Sequence, residues 1–116
     1  MQYPYISVII PVYNEENYIN SCLSSVYKQD YPKEQMEVIV VDGNSSDQTV
    51  EIIKQNFKEV KIINNPDRIV PISMNLGIKA ANGDYIIRLD AHSNYPNNYF
   101  SRLIERIGKG DVCNVG

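Results

Sequence analysis

Hydrophobic and polar positions follow two alternating rhythms along this chain. Residues Ile6–Val12 (ISVIIPV) form a nearly unbroken β-branched run, the mark of a strand buried on both faces of a sheet. The spacing then changes, and Ile19, Cys22, Leu23, Val26 and Tyr27 recur at helical intervals. Asn14 is placed to cap that helix, Glu15 and Glu16 suit the positive end of its dipole, and Pro32 closes the unit. Residues 37–42 (EVIVVD) predict a second buried strand. The loop GNSSD follows, with Ser46 or Asp47 capping a helix whose core face carries Val50, Ile53 and Phe57. Residues 60–63 predict a short third strand. Pro71, at a first-turn position, opens a helix with Met74, Ile78 and Ala81 on one side, ended by Asn82-Gly83. Residues 84–89 (DYIIRL) predict a fourth strand. Pro96 then starts a helix with Tyr99, Phe100, Leu103, Ile104 and Ile107 inward, stopped at Gly108, and 111–115 begins a fifth strand.

Strands alternating with helices across crossovers of this length require a mainly parallel sheet covered on both faces, a three-layer α/β/α sandwich. Ligands of such sheets sit beyond the carboxyl ends of the strands. Three of those ends are polar: Tyr13-Asn14-Glu15 after the first strand, Asp42-Gly43 after the second, and Asp90-Ala91-His92 after the fourth. The topology gathers them at one rim although they lie far apart in the chain.

Composition narrows the partners. The chain has 116 residues, 43% hydrophobic and 22% charged, as expected of one ordinary globular domain. Its net charge is −3 with acids and bases interspersed, which excludes a broad nucleic-acid face. No apolar run approaches the ~20 residues of a membrane span, and the N-terminus lacks the basic leader and cleavage site of a signal peptide. Cys22 and Cys113 have no metal-like spacing. Cys22 falls on a helix's apolar stripe and reads as a buried thiol, which fits a reducing cytoplasm. Most of the tyrosines read as packing.

Asp42 follows four apolar residues, so its backbone is fixed while its carboxylate faces the crevice. An ionised carboxylate only accepts hydrogen bonds, and among bases it suits those with a ring N–H: uracil, thymine or guanine. An acid capping the following loop fits this one residue equally well. Asp90 and His92 lie on the same side of an extended segment, with only Ala91 between them. A carboxylate and an imidazole together can hold Mn2+ or Mg2+, and the nitrogen favours Mn2+. Taken alone, the triplet is no stronger a signal than a solvated surface turn. No G-x-G-x-x-G, Walker lysine loop or G-x-S-x-G turn is present.

In order, PVYNEEN, VVDGNSSDQT and a D-x-D-like triplet after GDYIIRL resemble the inverting family-two glycosyltransferases of the GT-A fold, nearly end to end. The histidine in third position, NPDRIVPISMNLGI and DAHSNYP are most similar to a bacterial exopolysaccharide branch of the succinoglycan type. The resemblance implies that Pro11, Val12, Tyr13 and Glu15 line a nucleotide pocket, with Asp42 on the base and Gly43 letting the loop approach it. It implies Asp90 and Ala91 along the ribose and diphosphate, and Asp90 with His92 as the metal-binding pair. Relatives carry an Ala-Arg-Asn stretch where this chain has Ser73-Met74-Asn75; the resemblance places Asn75 among the nucleotide-binding residues, with Arg68, seven residues ahead of it, the candidate to replace that arginine.

The implied function is metal-dependent, inverting sugar transfer from a nucleotide-diphosphate-sugar, UDP- or GDP-linked, to a saccharide or lipid-linked acceptor in polysaccharide biosynthesis. Residues 1–116 are expected to be the donor-binding, N-terminal half of such a domain. The acceptor-binding half and its general base would lie beyond Gly116, together with any contact to the inner face of the cell membrane. Alone, this half is expected to bind donor weakly and transfer little. The rivals are a non-catalytic nucleotide-binding module, a nucleotidyltransferase-like domain and a phosphoacceptor domain. A nucleotidyltransferase needs a glycine- and arginine-rich loop where Tyr13-Asn14-Glu15-Glu16 stands, and a phosphoacceptor needs a lysine that residues 111–116 do not contain.

Overall fold

The computed structural model describes residues 3–108. Strands β1 (Ile6–Val12), β2 (Met36–Asp42), β3 (Lys61–Asn64) and β4 (Tyr85–Arg88) form one sheet in the order β3-β2-β1-β4, every neighbouring pair parallel. Helices α1 (Ile19–Tyr27), α2 (Thr49–Asn56) and α3 (Val70–Ala80) fill the crossovers, and α4 (Tyr99–Gly108) follows β4. The expected fifth strand and Cys113 lie outside the described residues. Among the described residues, no helix is long and apolar enough to cross a membrane.

The chain builds outward from β1 to β3, then returns to the far side of β1 for β4. Right-handed crossovers change face when that direction reverses. Accordingly, Val8, Ile10, Val38 and Val40 pack with Leu23 and Val26 of α1, Ile53 of α2 and Phe100 of α4. Ile9, Ile39 and Val41, pointing the other way, pack with Met74, Leu76 and Ala80 of α3. Both faces of the central strands are buried, which is why β1 and β2 read as unbroken apolar runs.

Three local expectations are corrected. Residues 15–18 first make a turn in which the Tyr18 and Ile19 N–H groups bond the Glu15 carbonyl, so α1 starts at Ile19 and Asn14 does not cap it. Glu15 and Glu16 therefore precede the helix, whose first turn contains no acid. On α3, the close approach to β1 is made by Gly77, where a Cβ would stand 2.7 Å from Ile9 Cγ2. The helix is consequently rolled so that Ser73 and Gly77 are buried and Ile78 is 46% exposed.

A polar cluster fastens the amino-terminal ends of the strands, away from the rim. Glu37 of β2 accepts from the Ser7 hydroxyl of β1 at 2.6 Å, the Asn82 N–H at 2.5 Å and Lys61 Nζ of β3 at 3.3 Å. Ser7 Oγ in turn accepts the Gly83 N–H at 2.8 Å, where the chain enters β4. Gly83 has no room for a side chain, since a Cβ would fall 2.6 Å from Ser7 N. Burial pushes the Glu37 carboxyl up, but the hydrogen bonds from Ser7, Asn82 and Lys61 together hold it below its ordinary value. A depressed folded value stabilises the fold above the unfolded value near about 4.3 and is lost as pH falls through the folded one. Glu37→Gln is expected to cost about 1–3 kcal/mol at neutral pH. In urea melts across pH, that deficit should shrink as the medium becomes acidic.

Candidate functional site

The pairing of β1 with β2 runs to Val12 and Asp42, whereas its pairing with β4 stops at Ile9 and Arg88. Alternate residues of a parallel strand present both N–H and C=O to the same neighbour. Ile9 faces β4, and its carbonyl accepts the Leu89 N–H at 3.0 Å. The next rung on that side falls to Pro11, which has no N–H to donate. Beyond it the strands part. A cavity of about 470 Å³ opens at this seam, lined by Pro11, Val12, Tyr13 and Glu15, by Gly43, Arg68, Val70 and Ser73, and by Arg88, Leu89, Asp90, Tyr95 and Tyr99. The seam is also where the strand order reverses, the position at which open α/β sheets bind ligands.

The loops after β1 and β2 are clipped together. Ser45 Oγ accepts the Asn14 N–H at 2.9 Å, Asn14 Oδ1 accepts the Ser46 N–H at 2.8 Å, and Thr49 Oγ1 accepts the Glu15 N–H at 2.8 Å. Asn14 makes these bonds from a left-handed backbone, φ 51°, which asparagine tolerates. Asp47 accepts the Thr49 N–H at 2.9 Å in a tight turn ahead of α2; the N-cap residue of that helix is Gln48, so neither Ser46 nor Asp47 takes the expected cap position. Asp42 is 6% exposed, and its carboxylate accepts from the Ser45 N–H at 3.2 Å and the Ser45 hydroxyl at 2.5 Å. That is the loop-capping arrangement. The cavity wall beside it is formed by Gly43, whose N–H bonds the Val12 carbonyl at 2.8 Å.

Asp90 is held by its main chain: its N–H bonds the Tyr95 hydroxyl at 2.8 Å. The side chain turns toward His92, with Oδ1 accepting the His92 N–H at 2.9 Å. The His92 ring lies between two carboxylates, Nε2 3.2 Å from Glu15 Oε1 and Nδ1 3.6 Å from Asp90 Oδ1. Tyr18 packs on the ring with centroids 4.5 Å apart. Burial raises the Glu15 carboxyl; the Asp90 and Asp47 charges add to the rise, and His92 opposes it. Ala91 is buried behind this segment. Gln29 anchors the stretch leading into α4, its side chain bonding Pro96 O at 2.6 Å and the Phe100 N–H at 2.9 Å.

Arg68 reaches the cavity from a left-handed residue, φ 62°, with its guanidinium 4.6 Å from the centre of the Tyr13 ring. Asn75 is exposed on α3 and does not line the cavity. Sequence patterns do not single out Arg88, Tyr95, Tyr99 or Tyr18. Arg88 looks like one polar residue interrupting an apolar strand, DYIIRL, and the tyrosines look like packing. The signal for Arg88 is its place at the last rung before the seam opens.

Among the described residues, no group of three or more His, Cys, Asp or Glu side chains is placed to hold a metal ion. Asp90 and His92 offer two donors, with side chains 69% and 56% exposed; Asp90 lines the cavity, and His92 and Ala91 do not. One carboxylate and one imidazole fit Mn2+ and leave its other positions to oxygens of a ligand and to water.

A doubly wound parallel sheet with its cavity at the switch point is the framework of nucleotide-binding α/β proteins. The sequence matches the Glycosyl transferase family 2 profile over residues 7–116, and the chain belongs to that family. It is 46% identical over 101 residues to a dolichyl N-acetyl-alpha-D-glucosaminyl phosphate 3-beta-D-2,3-diacetamido-2,3-dideoxy-beta-D-glucuronosyltransferase of Methanococcus voltae, a match covering 83% of this chain and 31% of that protein. The fold is similar to Staphylococcus aureus TarS 1-349 in complex with UDP, with a TM-score of 0.80 and 30% identity over 90% of this chain and 32% of that one. It is also similar to the mannosyltransferase PcManGT of Pyrobaculum calidifontis in complex with GDP-Man and Mn2+, with a TM-score of 0.75 and 30% identity over 82% of this chain and 29% of that one. The expected GT-A architecture and family are borne out. The chain spans about a third of the length of these relatives.

Cys22 lies fully buried behind the Asp90 segment, its Sγ 3.6 Å from the Asp90 carbonyl oxygen. Burial, with the Asp90 and Glu15 charges, pushes this thiol up to about 12. Since only the thiolate reacts with alkylating agents, Cys22 in the native chain should stay unlabelled by iodoacetamide at mildly alkaline pH. Peptide mass mapping should find it labelled only after denaturation.

Proposed function

We propose that this chain is the donor-binding part of a glycosyltransferase that moves a sugar from a nucleotide-diphosphate-sugar to a saccharide or lipid-linked acceptor in polysaccharide biosynthesis. The observation that carries the reading is the cavity at the β1–β4 seam, where Tyr13, Glu15, Gly43, Arg68 and Asp90 of the motif segments meet in one wall. Family membership and the UDP and GDP-Man complexes of similar proteins support it.

The base end of the donor lies toward Tyr13 and Gly43. Asp42 serves there as an acceptor for the ring N–H of uracil or guanine: a carboxylate has about four acceptor positions, and Ser45 does not exhaust them. Gly43 keeps that wall low. Arg68 and Arg88 place positive charge along the cavity for the diphosphate. Asp90 and His92 hold the divalent cation, Mn2+ or Mg2+, with Ala91 as the small residue between them. When bound, that cation supplies Lewis-acid stabilisation of the charge growing on the leaving nucleoside diphosphate. Displacement with inversion needs a general base for the acceptor hydroxyl; we assign that base, and the acceptor surface, to the part of the full-length enzyme that this chain does not span. A cytoplasmic setting at the inner membrane face fits the buried, reduced Cys22.

Calorimetric titration with UDP, GDP and ADP, each with and without Mn2+, tests the reading. UDP or GDP should bind better than ADP, and only with metal. Asp90→Ala should weaken that binding at least about tenfold, ~1.4 kcal/mol, and Asp42→Ala should erode the preference over ADP. Equal, metal-independent binding of all three nucleotides would sink the proposal.

A further inference from the structure

We infer that Asn65 is a positioning residue for Arg68, a buried amide that fixes the turn from which the guanidinium enters the cavity beside the Tyr13 ring. The inference rests on the donor-site reading, in which Arg68 meets the diphosphate. It adds to that reading a residue outside the cavity lining.

Asn65 is fully buried between the end of β3 and the start of α3, and each of its polar groups is used. Its main-chain N–H donates to the Asp42 carbonyl at 2.7 Å, and its carbonyl accepts the Arg68 N–H at 3.3 Å. Side-chain Oδ1 accepts the Asp67 N–H at 3.1 Å, while Nδ2 donates to the Ile69 carbonyl at 3.2 Å and to Ser73 Oγ at 2.8 Å. These partners leave the amide one orientation. A main-chain N–H can only donate and a carbonyl can only accept, so Oδ1 faces Asp67 and Nδ2 faces Ile69.

The bonds close on both sides of Arg68. The Asn65 side chain holds Asp67 ahead of it and Ile69 behind it, and the Asn65 carbonyl holds Arg68 itself. Pro66 presets the turn, and an asparagine bonding the N–H two residues on reinforces it. Arg68 leaves that turn with φ 62°, a left-handed backbone that costs any residue with a Cβ and persists only where the surroundings impose it. Two consequences reach the cavity. The Arg68 main chain lies against Gly43, where a Cβ would stand 3.4 Å from Arg68 Cα, and the guanidinium comes to 4.6 Å from the Tyr13 ring centre. Because Asn65 is also tied to the Asp42 carbonyl, the turn is registered to the strand end that carries Asp42-Gly43. An exposed arginine on a loop would otherwise sample many rotamers, and a cation serves a diphosphate best where it is held in place.

Two measurements on the full chain test this. Without nucleotide, the ring current of Tyr13 should shift the Arg68 side-chain protons in NMR spectra, with Tyr13→Leu as the unshifted reference. Asn65→Ala should return those protons to the reference position. Calorimetry with UDP and Mn2+ then reads a double-variant cycle. Arg68→Ala should weaken binding by about tenfold or more, and Asn65→Ala by no more than that. The double variant should bind within about twofold of Arg68→Ala alone, since Asn65 acts through that residue. A general loosening of the fold would instead add to the Arg68 loss. Should Asn65→Ala not melt cooperatively in urea, Asn65→Ser, whose hydroxyl still accepts the Asp67 N–H, replaces it in both measurements. Losses that multiply in the double variant overturn the inference, as does an Arg68→Ala chain that binds UDP unchanged. So do Arg68 protons that are unshifted in the unmodified chain, or still shifted once Asn65 is replaced. The donor-site reading fails separately, if the unmodified chain does not bind UDP in Mn2+. The ring-current shifts involve no nucleotide and judge Asn65 in either case.

Discussion

Pro11 cannot donate a hydrogen bond, and its place in β1 turns that deficit into architecture. Its missing N–H faces β4 at the rung where the ladder would continue, so β1 and β4 separate while β1 and β2 stay paired to Val12 and Asp42. The strand order reverses at the same seam. The cavity therefore follows from two coincident features, a strand order that reverses at this seam and a residue that cannot close the ladder there. The Tyr13–Glu15 and Asp90–His92 segments face one another because each leaves the sheet at that opening.

Much of the fold is legible in the residues themselves, for identifiable reasons. β1 and β2 are buried on both faces, so their apolar runs are continuous and their limits sharp: β1 is found where its run predicts it, and β2 begins one residue early, at Met36. Phe100 and Ile104 recur at helical spacing and are buried on α4 as anticipated. Expectations fail where a local preference meets a tertiary demand. Asn14 has the chemistry of a cap, but its side chain is used across the loop by Ser46. Ile78 lies on an apolar stripe, but Gly77 lets α3 approach Ile9 so closely that the helix rolls and exposes it.

The rim is legible at the level of segments and less so at the level of atoms. The three polar strand ends do converge, because a parallel sheet sends all its carboxyl ends one way. The Asp42–Ser45 bond is the local cap that an Asp before a loop allows, but nothing in the chain order indicates that His92 meets Glu15, 77 positions away. Arg88 is inconspicuous because an exposed residue at the end of a short strand has no distinguishing mark until the length of the ladder is known.

Glu37, Ser7, Asn82, Lys61 and Gly83 knot the opposite end of the sheet. The molecule thus separates its anchorage from its working edge, at opposite ends of β1 and β2. Side chains at the open end can be exchanged while the scaffold's cohesion is maintained from the far end. A single framework of this kind can therefore be re-tooled for new ligands by altering loops alone.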